Sequence, residues 1–164
     1  MPRISAPSGG RALIFLASCG LVAGLAGCGG GNNGVSKSEY RSELAKISRQ
    51  ADAAHGAVDR TAPKATTVAD VQEVLRKFAA AEDRIGDEIA KLKTPADAKA
   101  ANAELARGEH DDATEIRALL PKLTKFNSVP QAFGYLQSVS RTKGGQEEDD
   151  ALAKLKKLGY TNGS

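Results

Sequence analysis

The chain has 164 residues and a formal net charge of +3; 26% of its residues are charged and only 4% are aromatic. This length suits one domain, and abundant alanine with few β-branched and aromatic residues favours helix over strand. Its two cysteines are too few for zinc or iron–sulfur sites built from several cysteines.

The first feature along the chain is an apolar segment that ends in a cysteine. Arg3 and Arg11 make the N-terminal region positive, and the run from Ala12 to Ala26 is apolar apart from Ser18 and small residues. This run is about 15 residues long, whereas a helix needs roughly 20 apolar residues to span a bilayer. The pattern is therefore more typical of a secretory signal peptide than of a permanent membrane helix.

The last residues of this segment are Leu25, Ala26, Gly27 and Cys28, and they resemble the lipobox of bacterial lipoproteins. The resemblance implies that a signal peptidase of type II removes residues 1–27. Cys28 then becomes the mature N-terminus and carries diacylglycerol, with a further acyl chain such as palmitate on its amino group. The alternative is an ordinary signal peptide that is cut nearby and leaves Cys28 as a plain thiol.

Removal of residues 1–27 would change what the composition implies. Arg3 and Arg11 are lost from the 23 basic residues, which leaves 21 against 20 acidic residues. This balance does not support a nucleic-acid-binding surface. Cys19 is lost as well, so Cys28 is the one cysteine left; the mature chain has no internal disulfide and relies on packing.

Residues 28–37 are predicted to be a tether rich in glycine and asparagine. Their glycines do not resemble a phosphate-binding loop, because no Lys-Ser or Lys-Thr pair ends the run and no strand precedes it. A flexible chain of about nine residues has a root-mean-square reach of roughly 15–18 Å. The lipid would therefore hold the following domain close to the membrane while leaving it free to turn.

Three long helices are predicted next. The first begins near Ser38 as N-cap, and its apolar residues recur at alternating steps of four and three: Tyr40, Leu44, Ile47, Ala51, Ala54 and Val58. The second begins after Thr66 or Thr67, has Glu82 on its apolar seam and ends before Pro95. The third runs from about Pro95 to Lys125 and has a polar middle of Arg107, Glu109, His110, Asp111, Asp112 and Glu115.

The segment from Pro130 to Leu158 is either one kinked helix or two short helices. Ser128 is expected to cap its start, Gly144-Gly145 to interrupt it, and Gly159 to end it in the left-handed conformation. The predicted fold is therefore all-α, an antiparallel up-down four-helix bundle whose last helix is broken or kinked at Gly144-Gly145. The predicted bundle domain spans residues 38–160, and residues 161–164 are expected to be a disordered tail.

The two histidines raise the question of a metal site inside the bundle. Asp52 and His55 have the i, i+3 spacing of metal-binding bundles, although such proteins use Glu-x-x-His. Folding the helices back at their turns places His110 about 12 Å from the level of His55. The two histidines are therefore not expected to hold one ion, and the same counting places Glu82 level with Arg107 as an ion pair. No metal site and no catalytic set is assigned.

The sequence thus predicts a non-enzymatic lipoprotein on the extracytoplasmic face of the cell membrane, or of either membrane in a cell that has two. Its lipid on Cys28 is the expected membrane contact, and no cofactor is expected. The helical domain is interpreted as a protein-interaction or structural module of the envelope, with an envelope protein as partner. The alternative is a carrier of a small ligand or metal ion with a site inside the bundle, lined by residues such as Glu82, Arg107 and Asp112.

Overall fold

The computed structural model describes residues 35–139 and 142–161. The lipobox, Cys28, most of the predicted tether and the last three residues lie outside this part of the chain. The described residues form five α-helices: α1 Lys37–Thr61, α2 Val68–Ala90, α3 Lys99–Leu123, α4 Val129–Ser138 and α5 Lys143–Lys157. A short 3-10 turn at Ala62–Lys64 follows α1. The predicted all-α class is confirmed.

The helix starts follow their capping residues. Ser36, rather than the predicted Ser38, caps α1, because Glu39 then stands three residues on and completes a capping box. Thr67, one of the two starts that the sequence left open, caps α2 in the same way with Asp70. The start of α3 differs from the prediction: residues 95–98 form a turn in which Ala98 N–H donates to Pro95 O at 3.0 Å, and the helix begins only at Lys99.

The last predicted helix is two separate helices, and the break does not lie at the glycines. Helix α4 ends at Ser138, and Thr142 caps α5 by accepting a hydrogen bond from Gly145 N–H at 3.2 Å. Gly144 and Gly145 therefore lie in the first turn of α5. Gly159 adopts the predicted left-handed conformation with φ of 74°, and Tyr160 N–H donates to Leu155 O to close the end of α5.

Two helix pairs, α2–α3 and α3–α5, are antiparallel. Asn102 on α3 donates to Ile89 O near the end of α2, whereas Gln72 near the start of α2 donates to Leu120 O late in α3. On α3 and α5, Arg107 pairs with Glu147 and Glu104 pairs with Lys154. Helix α1 packs along α2, and its residue His55 contacts Glu82. None of the helices in the described residues combines the length and apolarity needed to cross a membrane.

The apolar core is divided into clusters along the bundle. The largest cluster surrounds the start of α1 and the end of α5, where the rings of Tyr40 and Tyr160 pack edge to face at 5.2 Å. A second cluster lies at the opposite end, between α2, α3 and α4, around Val71, Leu123 and Ala132. A small cluster of Ala79, Ala113 and Ile116 lies between them. Buried charged residues occupy the level between this small cluster and the largest one.

Candidate functional site

Three carboxylates from three different helices converge in the middle of the bundle. They belong to Glu82 on α2, Asp112 on α3 and Glu148 on α5, and one oxygen from each lies within 4.8 Å of the others. Glu82 is 2% exposed and Asp112 is 7% exposed. A fourth acidic residue, Glu109, is 8% exposed and hydrogen-bonded to Glu82. We call Glu82, Glu109, Asp112 and Glu148 the carboxylate cluster.

The helical repeat explains how the sequence brings these residues inside. Glu82 lies three residues after Ala79 and three before Ile85, both buried, so it faces the same way as the α2 seam. Glu109 and Asp112 are three residues apart and therefore share one face of α3. That face is covered by α2 and α5, which makes the polar middle of α3 part of the bundle interior.

Two glycines bring α5 close enough for Glu148 to join the cluster. A Cβ atom on Gly144 would lie 2.2 Å from Asp112 N and 2.6 Å from Gly108 O. A Cβ on Gly108 would lie 2.8 Å from Glu148 Cγ. The backbones of α3 and α5 therefore pack directly against each other at this level, as small residues allow, and Glu148 enters the interior one turn after Gly144.

The carboxylate cluster is too crowded to be fully ionised. Burial is the largest effect that raises the pKa of Glu109, to about 11, followed by its hydrogen bond with Glu82 and the negative charges of Glu148, Glu82 and Asp112. Glu109 is therefore protonated at neutral pH and donates to the Glu82 carboxylate. This sharing of a proton is the usual result when carboxyl groups meet in a medium of low polarity.

His55 closes the cluster from α1. Its Nε2 lies 2.8 Å from Glu82 Oε1, and its ring packs edge to face on Phe78 at 5.1 Å. The hydrogen bond with Glu82 raises the pKa of His55; burial opposes this, and the charges of Glu82, Glu148 and Asp52 add to it. The hydrogen bond with Glu82 thus favours the protonated form of His55 and fixes the orientation of the Glu82 carboxylate.

The structure separates several residues that the sequence grouped. Arg107 donates to Glu147 at 3.0 Å on the outside of the α3–α5 pair, so the predicted Glu82–Arg107 ion pair is wrong. The two residues are at similar heights, but Arg107 points to a different side of α3 from Glu109. His110 contacts Asp83 and Asp87 on the surface of α2, which is a different site from that of His55.

Sequence reasoning placed Glu82 and Asp112 together only as lining residues of the alternative carrier site and considered His55 separately, and it did not bring Glu109 and Glu148 to them. Acidic residues in a polar run normally indicate a solvated helix face, whereas two of those on α3, Glu109 and Asp112, are buried. The missed signal was the small residues beside them: Gly108 precedes Glu109, and Gly144-Gly145 precede Glu148. Glycines at these positions favour a close helix contact, which would bury the adjacent carboxylates.

The chemistry of the carboxylate cluster suits a divalent cation. Carboxylate oxygens are the preferred ligands of Mn²⁺, Mg²⁺ and Ca²⁺, and Glu82, Asp112 and Glu148 provide three of them within reach of one ion. His55 would act as an outer partner that holds Glu82, a common arrangement around metal ligands. An open depression of about 310 Å³ lies away from the cluster, at Lys37, Ser38 and Arg41.

No protein-family model, curated protein or solved structure matches the chain. The function is therefore inferred from the residues of the cluster and from the N-terminal segment of the sequence.

Proposed function

We propose that the protein is a lipid-anchored, non-enzymatic protein of the extracytoplasmic membrane face whose helical domain binds a divalent cation. One observation supports the proposed cation binding. Glu82, Asp112 and Glu148 extend from three helices into the bundle, and one carboxylate oxygen of each lies within 4.8 Å of the others. Buried carboxylates are costly unless they are neutralised. A cation is the neutralising partner that acts on all three at once.

Protons take this role when the cation is absent. Glu109 then keeps the proton that it donates to Glu82, and the hydrogen bond with Glu82 favours the protonated form of His55. A divalent cation bound to Glu82, Asp112 and Glu148 neutralises these carboxylates. The protons on Glu109 and His55 are then no longer stabilised by the negative charge. Cation uptake is therefore coupled to proton release, as at other sites whose ligands must be deprotonated. The oxygen-rich ligand set favours Mn²⁺, Mg²⁺ or Ca²⁺ over thiophilic ions.

Calorimetric titration of the metal-stripped, lipidated protein with Mn²⁺ tests the site. We expect one ion per chain, and Asp112→Asn and Glu148→Gln should each weaken binding at least tenfold because each removes a ligand charge. Asp111→Asn is the matched control, since it makes the same change one residue away and outside the cluster. Failure of the wild type to bind Mn²⁺, Mg²⁺ or Ca²⁺, or equal binding by Asp112→Asn and Asp111→Asn, would refute the site.

The membrane anchor is supported by the Leu25-Ala26-Gly27-Cys28 motif and its apolar segment. Two or more acyl chains hold a protein stably at a bilayer, since each buried methylene contributes about 0.8 kcal/mol. The variant Cys28→Ala should lose the lipid mass from its N-terminal peptide and appear in the soluble fraction. Retention of Cys28→Ala in washed membranes would show that another element anchors the protein.

The complete helix order is also part of the proposal. The antiparallel pairs α2–α3 and α3–α5, together with α1 along α2, support an up-down-up-down bundle in which α5 is the fourth helix. Helix α4 then covers the end of the bundle formed by Val71 and Leu123.

A role in protein interaction is the second candidate. Several apolar side chains at the α4 end are only partly buried: Val68, Phe126, Phe133, Tyr135 and Leu136. Val139 is 36% exposed. An envelope protein would be the expected partner. Photocrosslinking from position 137 of the lipidated protein in its native envelope should then give one specific adduct, whereas a crosslinker at position 46 should not; identical products from both positions would exclude α4 as the contact.

A further inference from the structure

Four helix ends meet where the tether joins the bundle. Ser36 caps α1 directly after the tether, and Lys37 Nζ donates to Leu158 O at the end of α5 at 2.5 Å. Tyr160 donates to Asp97, just before α3, at 2.7 Å. The charge of Lys93, just after α2, acts on Glu39. We call residues 36–41, 88–99 and 154–161 the tether end of the bundle.

The tether end is strongly basic although the mature chain is nearly neutral. It contains eight Lys and Arg against three Asp and Glu, and two of those acids are already engaged: Glu39 caps α1 and Asp97 accepts from Tyr160. Lys91 and Lys154 pair with Asp87 and Glu104, which lie just outside these ranges. The eight cationic residues are all exposed: Lys37, Arg41, Lys91, Lys93, Lys99, Lys154, Lys156 and Lys157.

The helix dipole accounts for only part of this charge. Cations stabilise helix C-termini, which explains the lysines at the ends of α2 and α5. The same effect disfavours Lys99, because it is the first residue of α3. Lysines therefore occur at this end of the bundle both where helices begin and where they end. Their positions point to an anionic partner outside the bundle.

The tether fixes where that partner is. Seven residues lie between Cys28 and Ser36, and a flexible chain of this length has a root-mean-square reach of roughly 15 Å. Helix α1 has 25 residues and is therefore about 37 Å long. The reach of the tether is less than half the length of the bundle, so the tether end is the part that meets the lipid headgroups.

We propose that the tether end binds the anionic headgroups of the membrane in which Cys28 is anchored, and that the bundle stands with α4 away from the bilayer. This inference rests on the proposed lipid anchor. Lysines and arginines within a Debye length of an anionic bilayer are attracted to it, and the attraction is screened by salt. The freely turning domain expected from a glycine-rich tether is thereby replaced by one with a preferred orientation.

Energy transfer to acceptor-labelled lipids tests this orientation in the lipidated protein. The donor is attached at Ser38→Cys in one sample and at Gln137→Cys in another; Cys28 carries the lipid, so labelling is specific. In vesicles containing phosphatidylglycerol, we expect transfer from position 38 to be at least twofold higher than in phosphatidylcholine alone. Transfer from position 137 should not rise. High salt should return position 38 to its value in neutral vesicles.

Lysine variants test which positive charges bind the domain to anionic lipids. The triple variant Lys93→Gln, Lys156→Gln, Lys157→Gln should lose the lipid dependence, whereas Lys64→Gln, Lys77→Gln, Lys122→Gln, with equal charge change elsewhere, should keep it. Equal transfer in neutral and anionic vesicles, or equal loss in both triple variants, would overturn the orientation while leaving the anchor intact. A protein that does not float with vesicles, with Cys28 unmodified by mass, would overturn the anchor and the orientation together.

Discussion

At the scale of single residues, the bundle holds four carboxyl groups where a domain of this kind normally places apolar side chains. An ion moved from water into the interior costs several kcal/mol even after the protein relaxes. The protein reduces this cost by keeping Glu109 protonated and by placing His55 on Glu82. Both groups therefore hold their protons more tightly in the folded state than in the unfolded state.

The pH dependence of stability follows from Glu109. Its pKa is raised from 4.5 on folding, so the folded state binds a proton that the unfolded state releases. The stability contributed by protonated Glu109 is complete below pH 4.5 and falls as pH rises towards about 11, with a slope of about 1.4 kcal/mol per pH unit for one proton. His55, with a raised pKa, adds a loss in the same direction above its ordinary pKa.

We expect Glu109→Gln to flatten this dependence. The Gln amide can donate to Glu82 as protonated Glu109 does, and it does not ionise. Urea unfolding of the metal-free protein at several pH values between about 6 and 9 should show a slope smaller by up to about 1.4 kcal/mol per pH unit than in the wild type. Glu73→Gln, an exposed residue on α2, is the control; a wild-type slope in Glu109→Gln would mean that Glu109 is ionised in the folded protein.

The sequence identified Glu82 because a charged residue on an apolar seam is conspicuous without a structure. It did not identify the partner of Glu82. Counting residues back from a turn gives the height of a residue along the bundle but not the direction in which its side chain points. The predicted height of Arg107 along the bundle was correct, but the predicted direction of its side chain was wrong, because it faces Glu147. Glu109, two residues later, points to Glu82.

At the scale of helices, the contact between α3 and α5 determines whether the carboxylate cluster exists. Neither helix has a long apolar stripe at this level, and Gly108 and Gly144 replace side-chain packing by direct backbone contact. The sequence interpretation treated Gly144-Gly145 as a helix breaker, because glycine inside a helix is unfavourable by about 1 kcal/mol relative to alanine. The gain from close packing, together with the Thr142 cap, outweighs that local preference.

The variant Gly144→Ala should therefore be destabilising even though alanine favours helix. Its Cβ would lie 2.2 Å from Asp112 N, so α5 must move away, and overpacking of this kind typically costs about 1–3 kcal/mol. Glu148 moves with α5, so Mn²⁺ affinity should fall as well. Thermal unfolding and calorimetric titration of the same variant measure the two effects.

Gly134→Ala is the matched comparison for that variant. Gly134 lies within α4, and a Cβ there would meet nothing within 4 Å. We expect it to stabilise the protein by up to about 1 kcal/mol and to leave Mn²⁺ binding unchanged. If Gly144→Ala behaved like Gly134→Ala, the close approach of α3 and α5 would not be a property of the folded protein in solution.

The helix boundaries show which local sequence signals are sufficient to predict where a helix begins. The sequence left Thr66 and Thr67 both open as the start of α2, and the spacing of three residues from Thr67 to Asp70 decides between them. Ser36 and Ser38 are chemically equivalent as caps, and only the spacing to Glu39 distinguishes them. Pro95 is compatible with a helix start, but the tertiary contact of Asp97 with Tyr160 holds that segment in a turn. No pattern within residues 95–98 contains that information.

At the scale of the whole molecule, the carboxylate cluster lies at the level where the apolar core is interrupted. The largest core cluster lies on the tether side and the other two lie towards α4. The three candidate ligands come from α2, α3 and α5, and His55 on α1 holds one of them, so the proposed cation would link four helices. Binding at this level should therefore stabilise the entire domain rather than one helix.

Mn²⁺ should accordingly raise the unfolding temperature of the metal-free protein, and more so at higher pH. A ligand that binds only the folded state adds about 2.7 kcal/mol at a concentration one hundred times its Kd, which corresponds to a shift of roughly 5–10 °C for a domain of this size. Protons compete for the same carboxylates, so the shift should be larger at about pH 8 than at about pH 6. Chelator should reverse it.

The pH dependence separates a specific site from weak association with surface acids. Exposed acidic residues are already ionised at pH 6, so ions bound to them would give a small shift that changes little with pH and is removed by salt. A buried site gives a shift that grows with pH, persists in salt, is clearly smaller in Asp112→Asn and is unchanged in Asp111→Asn. A salt-sensitive shift that is equal in both variants would assign the ion to the surface, and the buried carboxylates would then be neutralised by protons alone.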